Sequence, residues 1–285
     1  RVWCDDVRDA DRVDPDLLVE LPSELAGVDL ALAHLPKSLA ALDEQAVSVQ
    51  QASDVTFLAG GRTKHMNRSM NEVLARHFTA VHATRGHRKS RALRAWGPVN
   101  RPSEWPKFRH HEDLDLIIAA HGATFSGTKI DAGTRLLLEH VAVEGQRVLD
   151  FGCGNGSITA FLARLGHEVS ACDSSWSAVA ATLATCQSNG LEATIDWEAG
   201  ISHHGEESLD AIVTNPPFHR GTTKDSSDTL EMFTQAARVL RPSGELWCVF
   251  NSHLPYQREL SARVGQTTRL AQNRHYTLTR TIKRG

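Results

Sequence analysis

Cysteine motifs, long apolar runs and repeats are all missing from this chain of 285 residues. Its five cysteines, Cys4, Cys153, Cys172, Cys186 and Cys248, form no C-x-x-C pair. That spacing argues against a disulfide framework or a zinc site and leaves the cysteines as small apolar residues. The fifteen histidines are scattered, and His203-His204 reads as a loop rather than as a pair of ligands, so no bound metal is expected. No apolar run is long enough to cross a bilayer and no signal peptide opens the chain. A cytoplasmic monomer with no membrane partner is the resulting expectation. The chain begins at Arg1 without a methionine, which leaves the completeness of its amino terminus open.

Acidic residues are scarce in one stretch only. Residues 61–110 hold 12 Lys/Arg and five His against Glu72 and Glu104, whereas residues 1–60 hold 12 Asp/Glu against 4 Lys/Arg. The net charge of −3 hides this asymmetry. Arg85, Arg88, Lys89, Arg91 and Arg94 fall within ten residues. A solvated helix face would produce such a run, but a concentrated positive stripe is also the footprint of a phosphate-binding surface, and RNA binding is expected here. The length suits two domains, each large enough for a core. The proline-bearing stretch from Trp96 to Pro106 reads as a linker, which predicts a first domain over 1–100, a linker over 101–112 and a second domain over 113–285.

Against this background one segment stands out. Thr214-Asn215-Pro216-Pro217-Phe218-His219 follows Leu209-Asp210-Ala211-Ile212-Val213, an apolar run that predicts a buried strand. Two prolines donate no backbone N–H and fix φ, so the chain must leave the sheet there. The Asn215 amide, the Pro216 carbonyl and an aromatic face are thereby presented at one strand end. Such a set can accept both hydrogens of a planar exocyclic amine while the ring stacks on its base. An ordinary turn is the alternative, since Asn-Pro is a common turn former.

A second motif gives the first its weight. About sixty residues upstream, Arg147-Val148-Leu149-Asp150-Phe151 predicts a strand that runs into Gly152-Cys153-Gly154-Asn155-Gly156, and Ser157 to Leu162 opens a helix. Glycines serve where the backbone bends sharply and a ligand approaches closely. The spacing is D-x-G-x-G-x-G rather than the dinucleotide G-x-G-x-x-G. Asp150 would repel a pyrophosphate but attract an amino-acid ammonium, which favours S-adenosylmethionine over a dinucleotide. Glu168 to Cys172 predicts the next strand, ending at Asp173, a carboxylate placed to hold ribose hydroxyls. Ser174 or Ser175 caps a helix from Trp176 to Asn189, and Gly190 stops it. A third strand over 193–195 ends at Asp196-Trp197-Glu198. Asp196 is a candidate acceptor for an adenine amino group with Trp197 packed beside the ring, and Glu198 is its rival. Leu230, Phe233, Ala237 and Leu240 recur at helical spacing before a strand from Glu245 to Phe250. Strands and helices alternate, with ligand residues at strand carboxyl ends, as in a doubly wound, mostly parallel α/β sheet.

These residues carry a family resemblance. Asn215-Pro216-Pro217-Phe218-His219-x-Gly221 resembles the signature of bacterial ribosomal RNA guanine-N2 methyltransferases. Phe125-Ser126, Asp131-x-Gly133-Thr134 and Leu136-Leu137-Leu138 are similar to the family segment before the glycine turn, and Asn251-x-x-Leu254-Pro255-Tyr256 to the stretch after the fifth strand. Leu35-Pro36-Lys37-Ser38-Leu39 and Lys64-His65 are similar to the amino-terminal domain of the same enzymes. The resemblance implies two Rossmann-like class I methyltransferase domains, the first a degenerate copy and the second catalytic. Gly60-Gly61 is at best a remnant of a fingerprint, so a second cofactor site is not expected.

The resemblance further implies S-adenosylmethionine as cofactor, held by Phe125, Thr134, Asp150, Phe151, Gly152, Gly154, Gly156, Asp173, Ser174, Asp196, Trp197 and Asn215. Asn215, Pro216 and Phe218 would act on the guanine, and the partner would be ribosomal RNA or a ribosomal subunit precursor. His219 could assist proton loss or contact RNA. Two other readings stay open: an amino methyltransferase acting on DNA adenine or a protein glutamine, and a catalytically silent RNA-binding assembly factor.

Overall fold

The computed structural model describes residues 1–50, 54–216 and 223–285. They form two compact units, Arg1–Lys107 with His121–Ala123, and Phe108–Ala120 with Thr124–Gly285. The stretch 101–112, expected as a linker, contains a strand, and the units divide inside it.

The first unit opens with a short helix, α1 (Val7–Ala10), and builds a four-stranded sheet from β1 (Leu30–His34), β2 (Thr56–Arg62), β3 (Phe78–Ala83) and β4 (Ser90–Pro98), with α2 (Leu39–Val49) and α3 (Arg68–Leu74). The strand order is β1-β2-β4-β3. β1 and β2 are parallel and joined through α2, while β4 runs antiparallel to both β2 and β3. Ser38 caps α2 by accepting from the Ala41 N–H, as its place before an apolar helical run requires. One face of the sheet gives Phe57, Ala59, Leu93 and Ala95 to a core with Leu42, Ala46, Met70 and Leu74 from the two helices. Gly60 and Gly61 lie inside β2, opposite Ala92 and Arg91. They pair in a ladder instead of turning round a ligand, so this sheet has no glycine turn at that point. Residues 121–123 join this unit because Glu44 on α2 accepts from the Gly122 N–H at 2.6 Å and meets His121 Nδ1 at 2.5 Å.

The second unit begins inside β5 (Lys107–His111), which forms a hairpin with β6 (Leu116–Ala120) and is followed by α4 (Ala132–Leu138). Then β7 (Arg147–Phe151), α5 (Ser157–Arg164), β8 (Glu168–Asp173), α6 (Trp176–Ser188) and β9 (Thr194–Trp197) alternate. β10 (Leu209–Thr214), α7 (Thr223–Val239), β11 (Leu240–Asn251), α8 (Tyr256–Arg263), β12 (Gly265–Gln272) and β13 (Tyr276–Lys283) complete it. The sheet order is β12-β13-β11-β10-β7-β8-β9. β9, β8, β7, β10 and β11 are mutually parallel, and β13 is inserted antiparallel between β11 and β12. Leu240, expected on a helix, instead opens β11 opposite Leu209.

Neighbouring residues of the central strands serve two cores. On β10, Ala211 and Val213 join a cluster with Ile158, Leu162 and Leu137, while Ile212 joins one with Phe233, Met232 and Leu260. A strand buried on both faces must be apolar at consecutive positions, which is why 209–213 shows no alternation. The polar exception within this run is paired. Asp210, at the amino end of β10, accepts from the Gln146 and Arg147 N–H groups, from Arg147 Nη2 and from Arg241 Nε. β6 is docked to α6 by side chains, with Asn189 bonding both backbone groups of Ile117 and Thr185 receiving the Ala119 N–H.

Candidate active site

The carboxyl ends of β7 and β10 lie side by side, since Thr214 pairs with Phe151, and Thr214 Oγ1 donates to the Phe151 carbonyl at 2.7 Å. The two sequence motifs therefore meet at one place in the sheet, the place where open α/β sheets hold their ligands. A concave site there is lined by Phe125, Ser126, Asp131, Thr134, Asn215 and the turn 152–155, with Ser157 and Ile158 from α5.

The glycines of the turn do different jobs. Gly152, Gly154 and Gly156 all have positive φ, at 77°, 57° and 74°, a region that costs other residues about 1–2 kcal/mol. A Cβ on Gly152 would meet nothing within 4 Å, so that position needs the conformation and opens space on the pocket side. A Cβ on Gly156 would lie 2.9 Å from Thr182 Cα, so this glycine lets α5 approach α6. Asn155 ties the turn to the chain before α4, donating from Nδ2 to the carbonyls of Gly127 and Lys129. Ser126, on that chain, also has positive φ (60°), and the Phe125 ring is 66% exposed at the pocket edge.

Asn215 is held from the opposite side. Its Nδ2 donates to Thr134 Oγ1 at 2.9 Å and to Asp131 Oδ2 at 3.3 Å, and Asp131 also caps α4 through the Gly133 N–H. A carboxylate only accepts, so it selects the amide orientation in which nitrogen faces Asp131 and Oδ1 is left to accept from something else. Tyr276 on β13 closes this corner. Burial and then the nearby Asp131 charge hold its phenol above the usual range. Asp131 is the site residue that the sequence reading left unassigned, although the D-x-G-T segment contained it. Pro216 is described and buried, whereas Pro217, Phe218, His219 and Gly221 fall outside the described residues.

Asp150 sits beneath the pocket and not on its wall. The carboxyl is fully buried, its Oδ2 receives the Thr159 hydroxyl at 2.6 Å, and Oδ1 has no hydrogen-bond partner among the described residues. Burial, only partly offset by Thr159, pushes its pKa up to about 7. The expected direct contact with an ammonium therefore gives way to a carboxyl that would act through the turn above it. Asp173 ends β8 and receives the Gly154 N–H at 3.1 Å and the Ser175 N–H at 2.9 Å. The Ser174 carbonyl accepts the Trp197 indole N–H at 2.9 Å, fixing the ring beside the end of β8. Asp196 and Glu198 both approach His203, at 3.9 Å and 2.5 Å. Glu198 is raised above the usual carboxylate range, chiefly by burial, and its Oε1 is buried without a partner among the described residues.

This set fits S-adenosylmethionine. A buried carboxyl beneath the turn that a cation would ionise, acid-ended strands and a glycine turn free of Cβ atoms suit a ligand that is cationic at one end and has hydroxyls at the other. Asp150, with one oxygen unpartnered among the described residues, is a carboxyl whose ionised form a positive ligand above the turn would favour.

The basic residues lie elsewhere, in the first unit. Arg85, Arg88 and Lys89 occupy the tip of the β3–β4 hairpin, Arg91 and Arg94 lie on β4, and all five are exposed. Arg88 and Lys89 have φ of 47° and 61° between His87 and Ser90, which exchange both backbone hydrogen bonds at 2.8 Å. This is the φ signature of a type I′ hairpin turn. The stretch is thus a hairpin, not a helix face.

Comparison with known proteins follows the same division. The family described as methyltransferase small domain matches residues 115–280, and that described as RLMG N-terminal domain matches residues 10–98. Ribosomal RNA large subunit methyltransferase G of Streptomyces coelicolor is 32% identical over 272 residues, covering 90% of this chain and 72% of the relative. Ribosomal RNA small subunit methyltransferase C of Chromohalobacter salexigens is 38% identical over 184 residues, 63% of this chain and 54% of that protein. The fold is that of the T. thermophilus 16S rRNA N2 G1207 methyltransferase, solved with AdoMet and guanosine, at a TM-score of 0.77 and 24% identity over 93% of this chain and 76% of that one. The chain belongs to the methyltransferase small domain family and joins that domain to an RLMG N-terminal domain.

Proposed function

We propose that this enzyme transfers a methyl group from S-adenosylmethionine to the exocyclic N2 amine of a guanine in ribosomal RNA. The observation that carries the reading is Asn215, whose nitrogen is tied to Asp131 and Thr134 so that Oδ1 remains as an acceptor. The cofactor supplies an electrophilic methyl. The nitrogen lone pair of guanine's amine is delocalised into the ring and attacks poorly. Asn215 Oδ1 and the Pro216 carbonyl would accept its two hydrogens, favour the pyramidal geometry and stabilise positive charge as it develops on nitrogen. The methylated ammonium is acidic enough to lose its proton afterwards, so no strong base is required. Phe218 is assigned by sequence resemblance to stack on a base turned out of its helix. Positioning then supplies much of the acceleration.

The hairpin supports an RNA substrate. Type I′ turns favour Asn-Gly, yet Arg88-Lys89 occupies the central positions in left-handed conformation. Two cations kept at a strained tip point to a contact that repays the strain, and phosphates are the chemistry that suits them.

The test is methyl transfer from labelled cofactor to naked ribosomal RNA, intact subunits and DNA, followed by nucleoside analysis. Label in N2-methylguanosine is the expected result. Label in N6-methyladenine or in protein, or none with any substrate despite cofactor binding, would overturn the proposal.

A further inference from the structure

The sheet of the first unit buries one face only. On its other face the register sets Leu32, Leu58, Arg94 and His82 side by side, one from each strand in the order β1-β2-β4-β3. Trp96 stands two residues along β4 and so on the same face. The Arg94 guanidinium carbon lies 4.8 Å from the Trp96 ring centroid, and the His82 ring lies 5.1 Å from it with planes 29° apart. His82 and Arg94 are exposed, and Leu32 at the edge is 73% exposed. The middle of this face therefore carries three planar groups, the exposed His82 and Arg94 packed on the ring of a half-buried Trp96, and one of the three is a permanent cation.

We infer that this face is a stacking platform for unpaired RNA nucleotides, with His82, Arg94 and Trp96 as the planar surface. The inference rests on the reading above that the first unit binds RNA. Bases in a duplex are stacked on one another, so planar side chains on a sheet can take only bases that are splayed out. Every base has a flat face, which makes such a platform tolerant of sequence. The surroundings favour RNA over a protein partner. The segment 61–110 that supplies most of this face carries 12 Lys/Arg and two acids, a one-signed field that suits a polyanion. Arg88 and Lys89 extend the same hairpin and would take phosphates of the strand whose bases lie on the sheet.

The test compares binding of an unstructured single-stranded RNA and a blunt duplex of equal length at several salt concentrations. Arg94→Lys keeps the charge and removes the plane, while His82→Ala removes a second plane. Each should weaken single-strand binding about fivefold or more, the effect of a lost base stack, with the salt dependence and duplex binding unchanged. Changing Arg88, Lys89 and Arg91 together to Ala should weaken both ligands and flatten the salt dependence by about 0.7–0.9 slope units per lost contact. Single-strand affinity within twofold of the parent in both Arg94→Lys and His82→Ala would overturn the platform. A weakened triple variant would in that case still uphold RNA binding by the hairpin. An unchanged triple variant would sink that broader reading by itself. Self-association of the parent that Leu32→Ser abolishes would make the face a contact between copies and also overturn the proposal.

Discussion

Asn215 Nδ2 and Asp131 Oδ2 lie 3.3 Å apart across 84 residues of sequence, and this contact decides which end of the asparagine amide is presented. Asn215→Ala removes the proposed acceptor and should lower turnover by about a hundredfold or more, the scale of losing one oxyanion-type contact. Asp131→Asn keeps the shape but can donate as well as accept, so it no longer selects the orientation. Its kcat should fall by about tenfold, roughly 1.4 kcal/mol in the barrier, with KM for RNA little changed. Steady-state kinetics decide the matter: turnover within a few-fold of the parent in Asn215→Ala would make 214–217 an ordinary turn.

Asp150 predicts a pH dependence. Its folded pKa is near 7, against an ordinary carboxyl near 4, so between those values the folded protein holds more protons than the unfolded chain. Its contribution to stability therefore falls as pH rises through that window, the reverse of an ion-paired carboxylate. Asp150→Asn should narrow the loss, and its melting temperature should exceed the parent's at pH 8. A cationic ligand in the pocket above favours the ionised carboxyl, so binding should release a proton near neutral pH and tighten from pH 6 to 8. Calorimetry in buffers of different ionisation enthalpy measures that release, and the same release in Asp150→Asn would assign it to another group.

The elements that carry the site were legible because each has a local cause. The run 211–213 is apolar on both faces, Ser175 caps α6 by accepting from Ala178, and the prolines after Asn215 end a strand. What the sequence did not reveal depends on contacts between distant residues. Asp131 becomes a site residue only when β10 brings Asn215 to α4. Asp150 reads as a ligand contact from its motif, but Thr159 on α5 takes its oxygen and the turn covers it. The basic hairpin was hidden for another reason. Arg88-Lys89 has none of the turn-forming composition that marks a type I′ loop, so nothing in the spacing separated a hairpin from a charged helix face.

The glycine turn separates conformation from crowding. Gly156→Ala forces a Cβ to 2.9 Å from Thr182 Cα at a φ of 74°. Overpacking of about 1–3 kcal/mol then adds to a left-handed penalty of about 1–2 kcal/mol. Gly152→Ala carries the left-handed penalty alone, because its Cβ meets nothing. Urea unfolding should therefore rank Gly156→Ala as the less stable variant. Gly152→Ala, facing the pocket, should lose more cofactor affinity relative to its loss of stability. The opposite ranking in unfolding would mean that α5 and α6 are not held as close as Gly156 permits.

Asp210 marks the end of the sheet away from the site. The Arg147 guanidinium beside it, with the Arg147 and Gln146 N–H groups and Arg241, holds its carboxyl well below the usual carboxylate range. A depressed carboxyl contributes stability above its unfolded pKa of about 4 and loses it as pH falls below that value. Gly145, which packs on Asp210 with φ of 124° and no room for a Cβ, ties the entry to β7 into the same contact. Asp210→Ala should destabilise the protein at pH 7 by about 1–2 kcal/mol, the scale of hydrogen bonds to a charged carboxylate whose guanidinium partners are half exposed. The gap to the parent should narrow as pH is lowered from 5 toward 2. Cofactor affinity at pH 7 should stay within a few-fold of the parent, since these residues sit at the amino ends of β7 and β10, whereas the pocket is at their carboxyl ends. Thermal unfolding across pH with a parallel binding titration measures both quantities. A gap that stays constant down to pH 2 would remove Asp210 as the source of the acid sensitivity.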